Sequence, residues 1–250
     1  YLDKDKALLK SFIEKPNLQK LFKYKQFNYS DWTGEHKALE VFKYSLNNKI
    51  MPYHSTYGVG NPPKSNRWLG NPMITISPQI FLLNFFDTQT FFFINLIIMF
   101  TIGYIGCLFF KRKFQLGNLS FIFLFLIYNF NGYFVEKVTA YGSHLMGYFI
   151  LPFFLYFLFL ASDSKNIQLR NKINIGISIG IANALIILQG SIHIYSICVT
   201  FFALWALFNY RLYILSLIAF TTNFALSAIK ILPAYLSYGR IENHHYWEGG

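Results

Sequence analysis

The chain is expected to fold as an all-α polytopic membrane protein with about six transmembrane helices. Three observations predict this. Residues 91–233 form six apolar stretches separated by short polar breaks. Charged residues make up only 13% of the chain and mean hydropathy is +0.34, whereas a soluble domain carries about a quarter charged residues. The aromatic share is 20%, with 29 Phe and 18 Tyr, which suits helices that place rings at membrane interfaces.

The elements follow in order. Residues 1–90 form a basic, outward-facing segment; 12 of the 22 Lys and Arg lie in residues 1–77. A basic stretch can mark nucleic-acid binding, but beside a membrane domain it indicates attraction to anionic lipid, and no nucleic-acid partner is expected. Within it, Ala38, Leu39, Val41, Phe42 and Leu46 recur at helical spacing, so residues 36–46 are expected to form an amphipathic helix on the membrane. A loop rich in Gly, Pro and Asn follows over residues 51–78. Residues 79–86, after Pro78, are apolar but too few to span, and predict an interfacial or re-entrant helix.

The membrane region covers residues 91–233, with spans at 91–110, 119–134, 145–161, 173–188, 192–208 and 212–233. These runs of 16–22 residues approach the ~20 needed to cross about 30 Å of hydrocarbon as a helix. Their apolar character is continuous rather than alternating, which excludes a β-barrel. Residues 234–250 begin a further outward loop. No signal-peptide pattern opens the chain, and an upstream membrane helix is expected before Tyr1.

Loop charges set the orientation. Lys111, Arg112 and Lys113 lie between spans one and two, Lys165, Arg170 and Lys172 between three and four, and Arg211 between five and six. The opposite loops hold only Lys137. The positive-inside rule places the Lys111 loop in the cytoplasm. Residues 1–90, the outward loop of residues 129–144, which overlaps the end of span two, and the C-terminal end then face outward, with all six histidines at or near that face.

Each polar residue on that face also has a plain structural explanation. Asp31 and Thr33 can cap the following helix. Glu136 and Lys137 can be a solvated loop pair. His144 and His193 stand at span starts, where interfacial polar residues are common. Lys230, one turn before Pro233, is expected to snorkel to the interface. His244 and His245 lack an i, i+4 arrangement, so no metal site is indicated. Cys107 and Cys198 sit inside apolar runs as small apolar side chains.

The order of short motifs resembles that of GT-C superfamily membrane glycosyltransferases, and most closely the bacterial YfhO-like family. The likeness rests on Asp31-Trp32 followed by His36 and the amphipathic helix, Lys49-Ile-Met-Pro-Tyr53, Gly58-Val-Gly-Asn-Pro62, and Asn71-Pro72 through Ser77-Pro78. Later come Phe130-Asn-Gly-Tyr133, Gly142-Ser-His144, Leu151-Pro152, Gln189-Gly-Ser-Ile-His193 and Leu232-Pro233. It covers residues 28–240. The resemblance implies an enzyme that takes sugar from a polyprenyl-phosphate carrier in the membrane and passes it to a cell-envelope glycan or lipid acceptor. It places an acidic residue of the first outward loop at the catalytic centre, and Asp31 matches that position. The sequence shows Asp-Trp rather than the Asp-Xaa-Asp or Asp-Glu pairs of some GT-C branches, so a divalent metal is unsupported and no cofactor is expected.

Such a reaction needs a general base for the acceptor hydroxyl, for which Asp31 is the candidate. It also needs groups that receive the departing phosphate or hold the sugar. His36, Glu136, Lys137, His144, His193 and Arg240 are the candidates. The alternative is a transporter or flippase of lipid-linked saccharides, which calls for charged groups near mid-membrane; the spans hold mainly single Asn, Ser and Thr residues, such as Asn95, Asn183 and Asn223.

Overall fold

A computed structural model describes residues 31–48, 74–163 and 168–238. The helices are α1 (Asp31–Asn47), α2 (Thr88–Lys113), α3 (Asn118–Asn129), α4 (Gly132–Tyr141), α5 (Leu151–Asp163), α6 (Leu169–Leu188), α7 (Ile192–Phe208) and α8 (Tyr213–Tyr238). Short 3₁₀ segments lie at Ile74–Ile76, Pro78–Asn84, Gly142–Ile150 and Tyr210–Leu212. No strand occurs among the described residues.

Five stretches are long and apolar enough to cross a membrane: Thr88–Lys113, Asn118–Glu136, His144–Asp163, Leu169–Leu188 and Tyr210–Pro233. The expected fifth span, α7, has 17 residues. At 1.5 Å per residue that is roughly 26 Å, short of a full hydrocarbon crossing of about 30 Å. Large apolar side chains also cover the outside of the bundle: Phe93, Ile127, Ile197, Phe201, Leu217 and Phe224 are all about half exposed or more. Water tolerates only small patches of this kind, so this surface suits lipid.

The helices alternate in direction. At one end of the bundle Lys113, closing α2, pairs with Asp163, closing α5, and the Trp205 indole of α7 donates to Ser162 Oγ at 3.2 Å. At the other end α6 and α7 are joined by a turn in which Gly190 takes φ 86°, a left-handed conformation that glycine adopts without steric cost.

The largest core joins α5, α6, α7 and α8 through Phe154, Leu158, Ile179, Ile186, Phe202 and Leu215. Within it, α6 and α8 approach backbone to backbone. A Cβ at Gly176 would stand 2.8 Å from the Leu215 carbonyl, and one at Gly180 would stand 2.7 Å from that of Ala219. Gly176-Ile-Ser-Ile-Gly180 is thus a GxxxG contact, in which small residues spaced four apart let membrane helices pack closely.

The region between residues 129 and 144, expected as an outward loop, is helical instead. Asn131 caps α4 by accepting the Phe134 N–H at 2.8 Å, and its side-chain amide donates to the Tyr128 carbonyl at 3.1 Å. Asn129-Phe-Asn-Gly132 is therefore a joint between two helices, with both backbone ends satisfied by one side chain.

Replacing Gly180 with Val should wedge α6 from α8. Overpacking of this kind costs about 1–3 kcal/mol, and a lower thermal midpoint of the detergent-solubilised protein would report it; an unchanged midpoint would mean that the helix pair is not tightly packed.

Candidate functional site

Helix α1 buries a stripe at i, i+4 and i+7: Glu35 (1% exposed), Leu39 (1%) and Phe42 (8%). Leu39 and Phe42 pack with Ile74, Leu83 and Phe91, joining α1 to the Pro78–Asn84 segment and the start of α2. Lys43 donates to the Phe86 carbonyl at 2.7 Å, and Thr88 donates to Glu40. The expected amphipathic helix thus exists, lengthened by a turn and more at its front so that Asp31 is its first residue.

The same stripe carries a carboxylate into the interior. Burying an ionised carboxylate is costly unless partners compensate it. Glu35 Oε1 lies 3.6 Å from His144 Nε2, and its charge acts on Lys230, which is only 5% exposed. Lys230 Nζ comes within 3.5 Å of the Leu188 carbonyl at the end of α6. Lys230, expected to snorkel to the interface, is instead buried, with its Nζ at the end of α6.

His144 is presented by Gly142–Ile150. A nine-residue 3₁₀ run is unusually long. With three residues per turn, i and i+3 eclipse and the segment has three faces. Met146 and Phe149 form one face, buried with Met99 and Phe134. Leu145 and Tyr148 form another, with Tyr148 stacked on Tyr128 at 4.4 Å and Phe134 at 4.7 Å. His144 and Gly147 share the third. Gly147 N–H donates to Ser191 Oγ at 2.8 Å, and a Cβ there would stand 2.7 Å from Ser191 Cβ.

Beside this cluster lies a buried amide group. Gln79 Nε2 donates to Asn95 Oδ1 at 2.5 Å and to Gln189 Oε1 at 2.7 Å, and Gln189 Nε2 returns a bond to Gln79 Oε1 at 2.9 Å. These three side chains tie the Pro78–Asn84 segment to α2 and to the α6–α7 turn. They are neutral and mutually paired, which suits a positioning frame.

Of the residues expected at the site, His144 joins the buried cluster. His36 lies one residue beyond Glu35, half-buried, with its Nε2 4.0 Å from Glu40. Burial pulls the His36 imidazole below its usual 6.5, opposed by the carboxylates of Glu40 and Asp87. The Thr90 hydroxyl holds Asp87 below the ordinary carboxylate range. Glu136 is exposed on α4, and His193 is exposed on the first turn of α7; Glu136 and Lys137 stand on a helix rather than in a loop. The side chains of Asp31 and Lys137, and all of Arg240, lie outside the described residues.

Sequence reading missed Glu35, Gln79 and Gln189. Glu35 alone had a legible signal, since it falls on the apolar stripe of α1 where a carboxylate is out of place. The fold and this cluster define an all-helical protein with membrane-length helices and an ionisable group at one end of its bundle. Comparison with protein-family models, with curated proteins and with solved structures finds no match to the chain.

Two outcomes follow. Gln79→Leu and Gln189→Leu each leave buried amides unpaired, at a cost of about 1–3 kcal/mol; the double variant should lose less than the sum in a thermal double-mutant cycle. The lowered His36 pKa means that the unfolded chain takes up the proton first as pH falls. The contribution of neutral His36 to stability is full above pH 6.5 and is lost on acidification through the lowered value. His36→Gln should flatten that part of a thermal-midpoint-against-pH curve.

Proposed function

We propose that the chain is an integral membrane glycosyltransferase that moves a sugar from a polyprenyl-phosphate carrier to a cell-envelope acceptor at the extracytoplasmic face. One observation carries this reading: α1, which opens at Asp31, brings the buried Glu35 to His144, within electrostatic reach of Lys230, at the bundle end opposite Lys113 and Asp163. The positive-inside rule assigns the Lys111-Arg112-Lys113 end to the cytoplasm, so the cluster faces outward.

The chemistry suits such a donor. A lipid-phosphate sugar carries its own leaving group, so the protein must orient the acceptor, take one proton and steady the departing phosphate. The first helix supplies acidic residues, and the bundle supplies an imidazole and a buried lysine. Asp31 is the acidic residue that the resemblance assigns to the catalytic centre. The apolar outer surface accommodates a polyprenyl tail.

Depth separates this reading from its rival, a transporter or flippase of lipid-linked saccharides. Such proteins hold substrate near mid-membrane. Lys230 instead meets the last carbonyl of α6, at the level of the helix ends. The rival draws on the buried polar residues Asn183, Ser216 and Asn223 within α6 and α8, which are uncharged.

Reconstituted in proteoliposomes with undecaprenyl-phosphate glucose, mannose or galactose and an envelope extract, the protein should release undecaprenyl phosphate as sugar is transferred. Asp31→Asn should lower that rate by about 10²–10⁴-fold. Passage of intact lipid-linked sugar between leaflets without cleavage would favour the transporter.

A further inference from the structure

Positive charge is concentrated at the end of the bundle opposite α1. Lys111, Arg112 and Lys113 close α2, Arg170 and Lys172 stand in the first turn of α6, and Arg211 lies in the 3₁₀ turn that leads into α8. The packing brings these elements to one level. Lys113 pairs with Asp163 at the close of α5, and Trp205 near the close of α7 donates to Ser162. Helices α6 and α8 run parallel, since a Cβ at Gly176 would meet the Leu215 carbonyl and one at Gly180 that of Ala219. The same register carried back one turn sets Lys172 at the level of Arg211. Among the described residues Asp163 is the one carboxylate at this end, and Lys113 takes it.

We propose that this end of the bundle is a binding surface for anionic phospholipid, whose phosphate headgroups in the adjoining leaflet lie against Arg112, Arg170, Lys172 and Arg211. It rests on the membrane placement of the bundle and not on the transferase reading. Helix stability accounts for only part of the charge. Lys111, Arg112 and Lys113 complement the negative end of the α2 dipole, whereas Arg170, Lys172 and Arg211 stand at the starts of helices, where positive charge is unfavourable. Arg112, Arg170 and Arg211 are exposed, and their surroundings are apolar: Phe114, Leu169, Phe208, Tyr210 and Tyr213 are between 47% and 84% exposed. A soluble acidic partner would leave these side chains in water. Cations bordered by apolar and tyrosine side chains match the headgroup level of a bilayer, with hydrocarbon on one side and phosphate on the other.

The test titrates the full chain in detergent with dansyl-labelled phosphatidylglycerol and, separately, dansyl-labelled phosphatidylcholine, reading energy transfer from tryptophan. Trp205 stands at this end, so the part of the signal lost in Trp205→Phe reports lipid bound there. By that signal, wild-type protein should bind phosphatidylglycerol at least about tenfold more tightly than phosphatidylcholine, and the difference should shrink as salt is raised. The triple variant Arg170→Gln, Lys172→Gln, Arg211→Gln should lose phosphatidylglycerol affinity by about fivefold for each cation removed, with phosphatidylcholine affinity unchanged. The double variant Arg170→Lys, Arg211→Lys keeps the charge and should keep the preference. Thermal midpoints identify a variant that fails to fold, in which case the salt series on wild-type protein and Arg112→Gln decide. The proposal is overturned if wild-type protein binds the two lipids alike, or if the folded triple variant keeps its full preference; the cations then act only in setting orientation during insertion. Displacement of phosphatidylglycerol by soluble polyglutamate at matched charge would also overturn it, in favour of an acidic protein partner.

Discussion

Hydrocarbon offers no hydrogen bonds, so every polar group carried into the bundle must find its partner within the chain. That constraint organises the interior. Three side-chain amides from distant parts of the sequence, Gln79, Asn95 and Gln189, close on one another. The Asn223 amide donates to the Tyr195 hydroxyl at 3.0 Å, joining α8 to α7. Asn129 donates to the Phe125 carbonyl at 3.0 Å. Asn129 and Asn223 keep their side-chain oxygens without a hydrogen-bond partner among the described residues; the donors are placed first, consistent with carbonyl acceptors tolerating under-satisfaction better than N–H donors.

The charged cluster obeys the same constraint more stringently. A lone buried carboxylate is far more costly than a lone amide, and Glu35 sits where three separate elements supply its surroundings. Helix α1 brings the carboxylate, the Gly142–Ile150 run brings His144, and α8 brings Lys230. All three elements must meet for the cluster to form, so docking of α1 and assembly of the cluster are one event. The small residues Gly147, Gly176 and Gly180 allow the approach distances on which this depends.

Much of the frame was legible because the membrane writes it into composition. Continuous apolar runs announced each membrane-length helix, and the brief apolar piece after Pro78, expected as an interfacial or re-entrant helix, is a short 3₁₀ segment. The amphipathic spacing of Leu39, Phe42 and Leu46 announced α1. The joint at Asn129–Gly132 was read as a loop because Asn and Gly mark both turns and caps, and only the bond from Phe134 N–H to Asn131 distinguishes them. Lys230 was misread because its natural course beside an interface is outward, and nothing near it in the chain shows that this end of α8 is covered by other elements.

Apolar length and loop charge are local quantities, summed over neighbours in the chain. The sequence alone therefore determined an all-helical membrane frame, its positive end and the end where polar residues gather. Pairing across that end is a matter of distance between residues far apart in the chain, such as Glu35, His144 and Lys230 or Gln79 and Gln189. Only the tertiary structure decided that Glu35 is the buried carboxylate, that His144 lies against it, and that His193 and Glu136 are exposed. The burial that makes these groups chemically distinctive arises when the helices assemble, and single-chain periodicity does not encode which faces meet.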